Sequence, residues 1–186
     1  MDDGLTRRLF DVDEYHRLGQ VGILTEEDRV ELIDGEIVVM TPIGAPHARC
    51  VMFLNDVCVR RLEGRAVVSP QNSLRLHRRT EPQPDITLLR PPLARYAKNI
   101  PGPGDTLLID EVADTSQYRD RVVKLPRYAA AGVPEVRIVD LDAGAVDVHR
   151  EPSPAGYRVS RRLARHEDVA PEAFPDVVLA VDDVLG

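Results

Sequence analysis

The sequence predicts an α+β fold: a central mixed β-sheet flanked by two main helices, with a β-hairpin near the N-terminus. Three observations carry that expectation. Asp34-Gly35 separates two apolar-rich runs, the strongest short-range hairpin signal. Residues 47–63 and 116–131 show apolar residues at helical spacing, and each stretch stops at a glycine, Gly64 and Gly132. Short strand-like runs bounded by Gly, Pro, Asp and Asn fill the intervals. A chain of 186 residues is long enough to bury a sizeable core in one domain, 1–186.

In chain order, a helical piece covers 12–18, and the hairpin strands cover 30–33 and 36–40. The first main helix follows, then strands at 66–69, 73–76 and 85–89. Residues 91–104, rich in proline and glycine, form a surface loop. A strand at 106–113 leads into the second main helix, where Pro126 predicts a kink just after Lys124. Asp114, Thr115 and Ser116 cap that helix. Strands at 135–140, 146–149 and 157–163 complete the sheet, and DVVLAVDDVL adds a strand and a short helical end.

Cys50 and Cys58 fall eight residues apart on the first main helix, about 12 Å of rise. A disulfide needs Cα atoms within about 7 Å, so both thiols are expected to be reduced and at least partly buried. No run approaches a membrane span and the N-terminus carries no apolar signal core, so a cytoplasmic location without a membrane partner is the default. The net charge of −7 argues against strong non-specific nucleic-acid binding. The basic runs at 75–79 and 158–165 read, taken alone, as solvated faces. No zinc, P-loop or dinucleotide-binding pattern is present.

Two carboxylates sit where apolar strands should be. In EPQPDITLLR, Asp85 stands at the mouth of a strand; in TLLIDEVADTS, Glu111 lies inside one. Period-two alternation puts Leu107, Ile109, Glu111 and Ala113 on one face and Leu108, Asp110 and Val112 on the other. If the two strands pair, Asp85 and Glu111 share a face, and a divalent cation between them would relieve their repulsion. Asp120 and Lys124, four apart on the next helix, share a face that leans toward Glu111. Spacing alone equally allows an exposed ion pair contributing a few tenths of a kcal/mol.

The segments RVELIDGEIVVMTPIGAPH, EPQPD and LLIDEVADTS, followed by RDRVVKLPRYAAAGVPE and IVD, together resemble the Uma-type restriction endonuclease family of the PD-(D/E)XK nuclease superfamily. The resemblance runs over nearly the whole chain in the same order. It implies an α/β/α restriction-endonuclease-like fold and a metal-dependent endonuclease that hydrolyses phosphodiester bonds in DNA. Pro84-Asp85 matches the family's first acid and Glu111 its second. Ala113 stands where the superfamily's usual lysine would be, and Lys124 matches a lysine relocated to the next helix, with Asp120 before it. Glu36 and His47 match early acidic and histidine positions; Gln83 and Gln71 fall in matching polar stretches.

The implied cofactor is Mg²⁺, with Mn²⁺ a possible substitute, bound by Asp85, Glu111 and the carbonyl of Val112. Catalysis would use Asp85, Glu111, Lys124 and Glu36, supported by His47, Asp120 and Gln83. A homodimer is implied by the need to cut two strands. Competing uses stay open: Glu36 as a solvent-side residue after the turn, His47 as a helix-start residue. The alternative to an enzyme is an inactive nuclease-fold module that binds nucleic acid or a protein partner. Asp110 departs from the family, since that position is normally apolar, and a buried carboxylate there must be paired, neutral or re-aimed by a bulge.

Overall fold

Asp11 opens the first helix by a reciprocal cap: its carboxylate accepts from the Glu14 N–H while Glu14 accepts from the Asp11 N–H. In the computed structural model, which describes residues 6–25, 27–114 and 118–185, this helix is α1 (Val12–Gln20). Strands β1 (Val30–Ile33) and β2 (Glu36–Val39) then pair antiparallel across Asp34-Gly35. Both turn residues have positive φ, 51° and 85°, as the tight turn demands. Gly35 is required twice over, because a Cβ there would lie 2.7 Å from the Leu9 Cβ.

Helix α2 (Ala45–Leu62) ends on Glu63 and Gly64, both left-handed. Strands β3 (Val67–Pro70) and β4 (Ile86–Leu89) follow, then β5 (Thr106–Ala113), a π-helical turn (Arg119–Lys124), and α3 (Leu125–Ala131). The chain continues through β6 (Glu135–Asp140), β7 (Ala145–Ser153), β8 (Gly156–Ala164), β9 (Asp168–Val169), β10 (Leu179–Ala180) and α4 (Val181–Leu185). Six strands form one sheet in the order β3-β4-β5-β6-β7-β8. All neighbours are antiparallel except β5 and β6, which the π-turn and α3 connect as a parallel crossover.

Helices cover both sheet faces. The larger core joins α2 and α4 to the sheet through Cys50, Leu54, Leu62, Leu108, Val112, Val139 and Val181. The smaller joins α3 to Ile109 and Val136 through Tyr128 and Val133. Burial drives both assemblies. The two cysteines are free and buried, and burial pushes each thiol up to about 12. No helix among the described residues is long and apolar enough to cross a membrane.

Two local expectations need correction. Residues 73–76 form no strand. Pro82 and Pro84, on the facing limb, have no N–H to give a ladder, so the limb is held by single bonds such as Leu74 N–H to Pro82 O and Leu76 N–H to Thr80 O. The disturbance expected after Lys124 is instead a π-turn before α3. The Leu125 N–H reaches back five residues to Asp120 O, and Pro126, which has no N–H to donate, falls in the first turn of α3. Thr115 and Ser116 lie outside the described residues.

Candidate active site

The β4–β5 register pairs Ile86 with Asp110, so one step further Asp85 faces Glu111 across the two strands. Directly opposed residues share a sheet face. The Asp85 carboxylate is fixed by three groups. The Val112 N–H donates to its Oδ2 at 2.8 Å, His47 Nε2 lies 3.1 Å from the same oxygen, and the Gln71 amide donates to Oδ1 at 3.4 Å. His47 reaches it from the first turn of α2, where Gly44 caps the helix and Pro46 follows. Burial works against protonating His47, but Asp85, with Asp120 and Asp114 nearby, outweighs it and raises the imidazole's pKa.

Glu111 is 2% exposed and Lys124 4%, so their pairing is not a solvated surface contact. The ammonium donates to Glu111 Oε1 at 3.2 Å and lies 3.3 Å from Glu31 Oε2. The Tyr128 hydroxyl donates to the same Glu111 oxygen at 2.6 Å. Burial raises the pKa of Glu111 against the pull of Lys124, with Asp120 and Asp85 adding to the rise. Burial opposes the Lys124 charge, yet Glu111, Glu31, Asp120 and Asp85 surround it and hold its pKa above the ordinary lysine value. Lys124 is therefore a permanent cation at neutral pH. Asp120 is buried in the π-turn and lines the same cleft.

The structure thus brings together Asp85, Glu111, Val112 and Lys124, with His47, Asp120 and Gln83 on the walls of a narrow cleft of about 50 Å³. Glu36 is not among its lining residues: it is exposed on β2, just past the turn and paired with Ile33. The acid supplied by the hairpin is Glu31 on β1, fully buried, accepting from the Gln83 N–H and facing Lys124. Sequence reasoning missed Glu31, although a glutamate between Val30 and Leu32 carries the same signal that singled out Glu111. It also missed Tyr128, which reads as an ordinary core aromatic.

Asp110 points away from all of this. It lies 1% exposed on the α2 face, its Oδ1 has no hydrogen-bond partner, and its neighbour in the parallel register is Arg137. The strand is regular at this point, since the one β4–β5 register shift lies between Leu88 and Leu89. Burial pushes Asp110 up to about 6, against the attraction of Arg137.

Among the described residues no three His, Cys, Asp or Glu side chains gather into a complete metal cage. A Mg²⁺ site does not need one, because that ion keeps several waters and takes one or two carboxylates. The donors present suit such an ion: hard carboxylate oxygens at facing strand ends, and a buried Glu31 Oε1 with no hydrogen-bond partner beside them.

A six-stranded mixed sheet layered by helices, with opposed acids at adjacent strand ends and a lysine on the crossover, is a restriction-endonuclease-like fold. Residues 12–182 match the Uma2 family, described as "Putative restriction endonuclease", and the chain belongs to that family. A crystal structure from Anabaena variabilis, described as a "putative nuclease belonging to DUF820", superposes with a TM-score of 0.75. It is 16% identical and the match covers 95% of this chain and 97% of that one, a likeness of fold. No curated protein matches the chain.

Proposed function

We propose that the protein is a divalent-metal-dependent endonuclease that hydrolyses phosphodiester bonds in DNA. The observation that carries this is the Glu111–Lys124 contact at 3.2 Å, beside an Asp85 that faces Glu111. Burying an ammonium between two acids adds little net stability, because desolvation offsets most of the attraction, so a catalytic role accounts for it better than a structural one. Asp85, Glu111 and the Val112 carbonyl would hold Mg²⁺, with Mn²⁺ a substitute. When bound, that ion supplies positive charge to the scissile phosphate and makes water a better nucleophile.

The chain's own groups do the rest. The Val112 N–H and His47 keep the Asp85 carboxylate aimed, and Tyr128 does the same for Glu111. Lys124 is held cationic by its surroundings, so it orients the attacking water and offsets negative charge gathering at phosphorus rather than taking a proton. Glu31 anchors the ammonium from the opposite side. Glu36 has no part in this scheme.

Isothermal calorimetry tests the reading. Mg²⁺ or Mn²⁺ should bind the wild-type protein and supercoiled DNA should be cut in its presence. Asp85→Ala should abolish both while leaving the far-ultraviolet circular dichroism intact. Unchanged metal binding in Asp85→Ala would remove the proposed ligand set, and intact binding without cleavage of any DNA would favour a nuclease-fold binding module. Cutting both strands of a duplex favours a two-fold arrangement, so light scattering at working concentration is expected to give the mass of a homodimer; a monomer mass counts against it.

A further inference from the structure

Beside the catalytic cleft lies a much wider groove of about 890 Å³. Arg29, Met40, Ile43 and Gln83 line both spaces, so the two adjoin. The far wall is α1, where Tyr15 and His16 make an edge-to-face ring pair with centroids 5.7 Å apart. Next to them Gly19 leaves a gap, with no atom within 4 Å of where its Cβ would stand.

Charge is unevenly spread along this path. Glu81 reaches the groove but is held by His16 at 2.6 Å and Arg75 at 3.0 Å, and Asp28 is turned back onto Thr25. Glu81 is thus balanced by Arg75, while Asp28 stays ionised at the Thr25 end of the groove, away from the junction with the cleft. At its junction with the cleft, Arg29 is exposed and has no ion-pair partner among the described residues, whereas Arg75, Arg121 and Arg127 are all paired. Aromatic rings on the wall of an open groove suit a nucleobase, which stacks on such rings whatever its sequence. An unpaired guanidinium at the entrance suits a phosphate.

Size points the same way. The cleft, at about 50 Å³, has room for little beyond the reacting phosphate, while the groove lies within the volume range of pockets that enclose a small ligand. A strand leaving the cleft toward Arg29 passes the groove, and a base that enters it has left the duplex stack.

We propose that this groove is a subsite for one unpaired nucleotide adjoining the scissile phosphate, with its base against the Tyr15–His16 wall and its phosphate on Arg29. Single-stranded or frayed DNA is then the preferred substrate, because intact duplex must first lose stacking and pairing at that nucleotide. The inference rests on the nuclease reading above.

Fluorescence anisotropy of one labelled oligodeoxynucleotide, single-stranded and as a blunt duplex, tests it in EDTA, where no strand is cut. The single strand should bind about tenfold tighter than the duplex. Gly19→Phe, which fills the gap, and Arg29→Gln should each weaken single-strand binding by about tenfold, the size of losing one stacked base or one good phosphate contact. Arg158→Gln, which removes an equal charge on β8, should bind as wild type. If Gly19→Phe lowers the melting temperature, Arg29→Gln carries the test alone. Duplex bound as tightly as single strand, or single-strand binding indifferent to both substitutions, overturns the subsite while leaving the nuclease reading standing. Wild-type protein that neither binds DNA nor cuts it with Mg²⁺ or Mn²⁺ overturns both.

Discussion

Lys124→Met is expected to cut DNA cleavage by about 10²-fold or more, the usual cost of losing a charged group aimed at the developing transition-state charge. No other lysine lines the cleft, and Ala113 occupies the strand position from which the superfamily's usual lysine would reach it. Substitution also has a structural cost. The ammonium separates Glu111 from Glu31, and removing one partner of a buried ionic cluster destabilises by about 3–5 kcal/mol. The metal-free variant should therefore melt well below wild type.

Saturating Mg²⁺ or Mn²⁺ should restore much of that loss, since a cation bound near Glu111 and Glu31 again balances their charge. Cleavage should not recover with it. This separation of stability from activity is what distinguishes a catalytic cation from a purely structural one. Cleavage that returns to near wild type along with the melting temperature would sink the proposed role of Lys124 and leave it as a structural counter-ion.

Much of the fold was legible because local signals and tertiary demands agree. Strand β5 runs over 106–113 as expected, its apolar alternation continuing until the chain breaks toward the next helix. The hairpin follows from Asp34-Gly35, whose positive φ values are cheap for those two residues. The acid pair was legible too, because a carboxylate in an apolar strand announces an unusual environment. What sequence could not show lies in longer-range geometry. Glu31 and Glu36 share one face of the hairpin, and what separates them is distance from the turn: Glu36 lies exposed beside it, whereas Glu31, further along β1, is buried against Lys124. Helical spacing leans Lys124 toward Glu111, but its burial between Glu111 and Glu31 comes from a π-turn that no spacing rule foretells. Strand β9, at Asp168–Val169, is too short to show a period at all.

Asp110→Asn is expected to raise the melting temperature by roughly 6–12 °C at pH 8. The carboxylate is buried on the α2 face near Cys50, Cys58 and Arg137, with Glu135 and Asp85 adding negative charge. Burial pushes it from 3.8 up to about 6, a difference worth about 3 kcal/mol. The sign follows from which state holds the proton. A folded state that binds it more tightly than the unfolded chain is stabilised below the unfolded value and loses that contribution as pH rises through the folded value. Wild-type stability should therefore decline from about pH 4 to about pH 6. The asparagine variant, neutral throughout, should lack this decline and gain nothing at pH 4. Asparagine keeps the volume and leaves Arg137 its 2.8 Å contact with Glu135, so no cavity or lone cation is created. Cleavage should be unchanged, because Asp110 faces away from Glu111 and does not line the cleft. If instead the attraction of Arg137 outweighs burial, the variant will melt lower than wild type at pH 8, and Asp110 is then a supporting ion pair of the core rather than a strain within it.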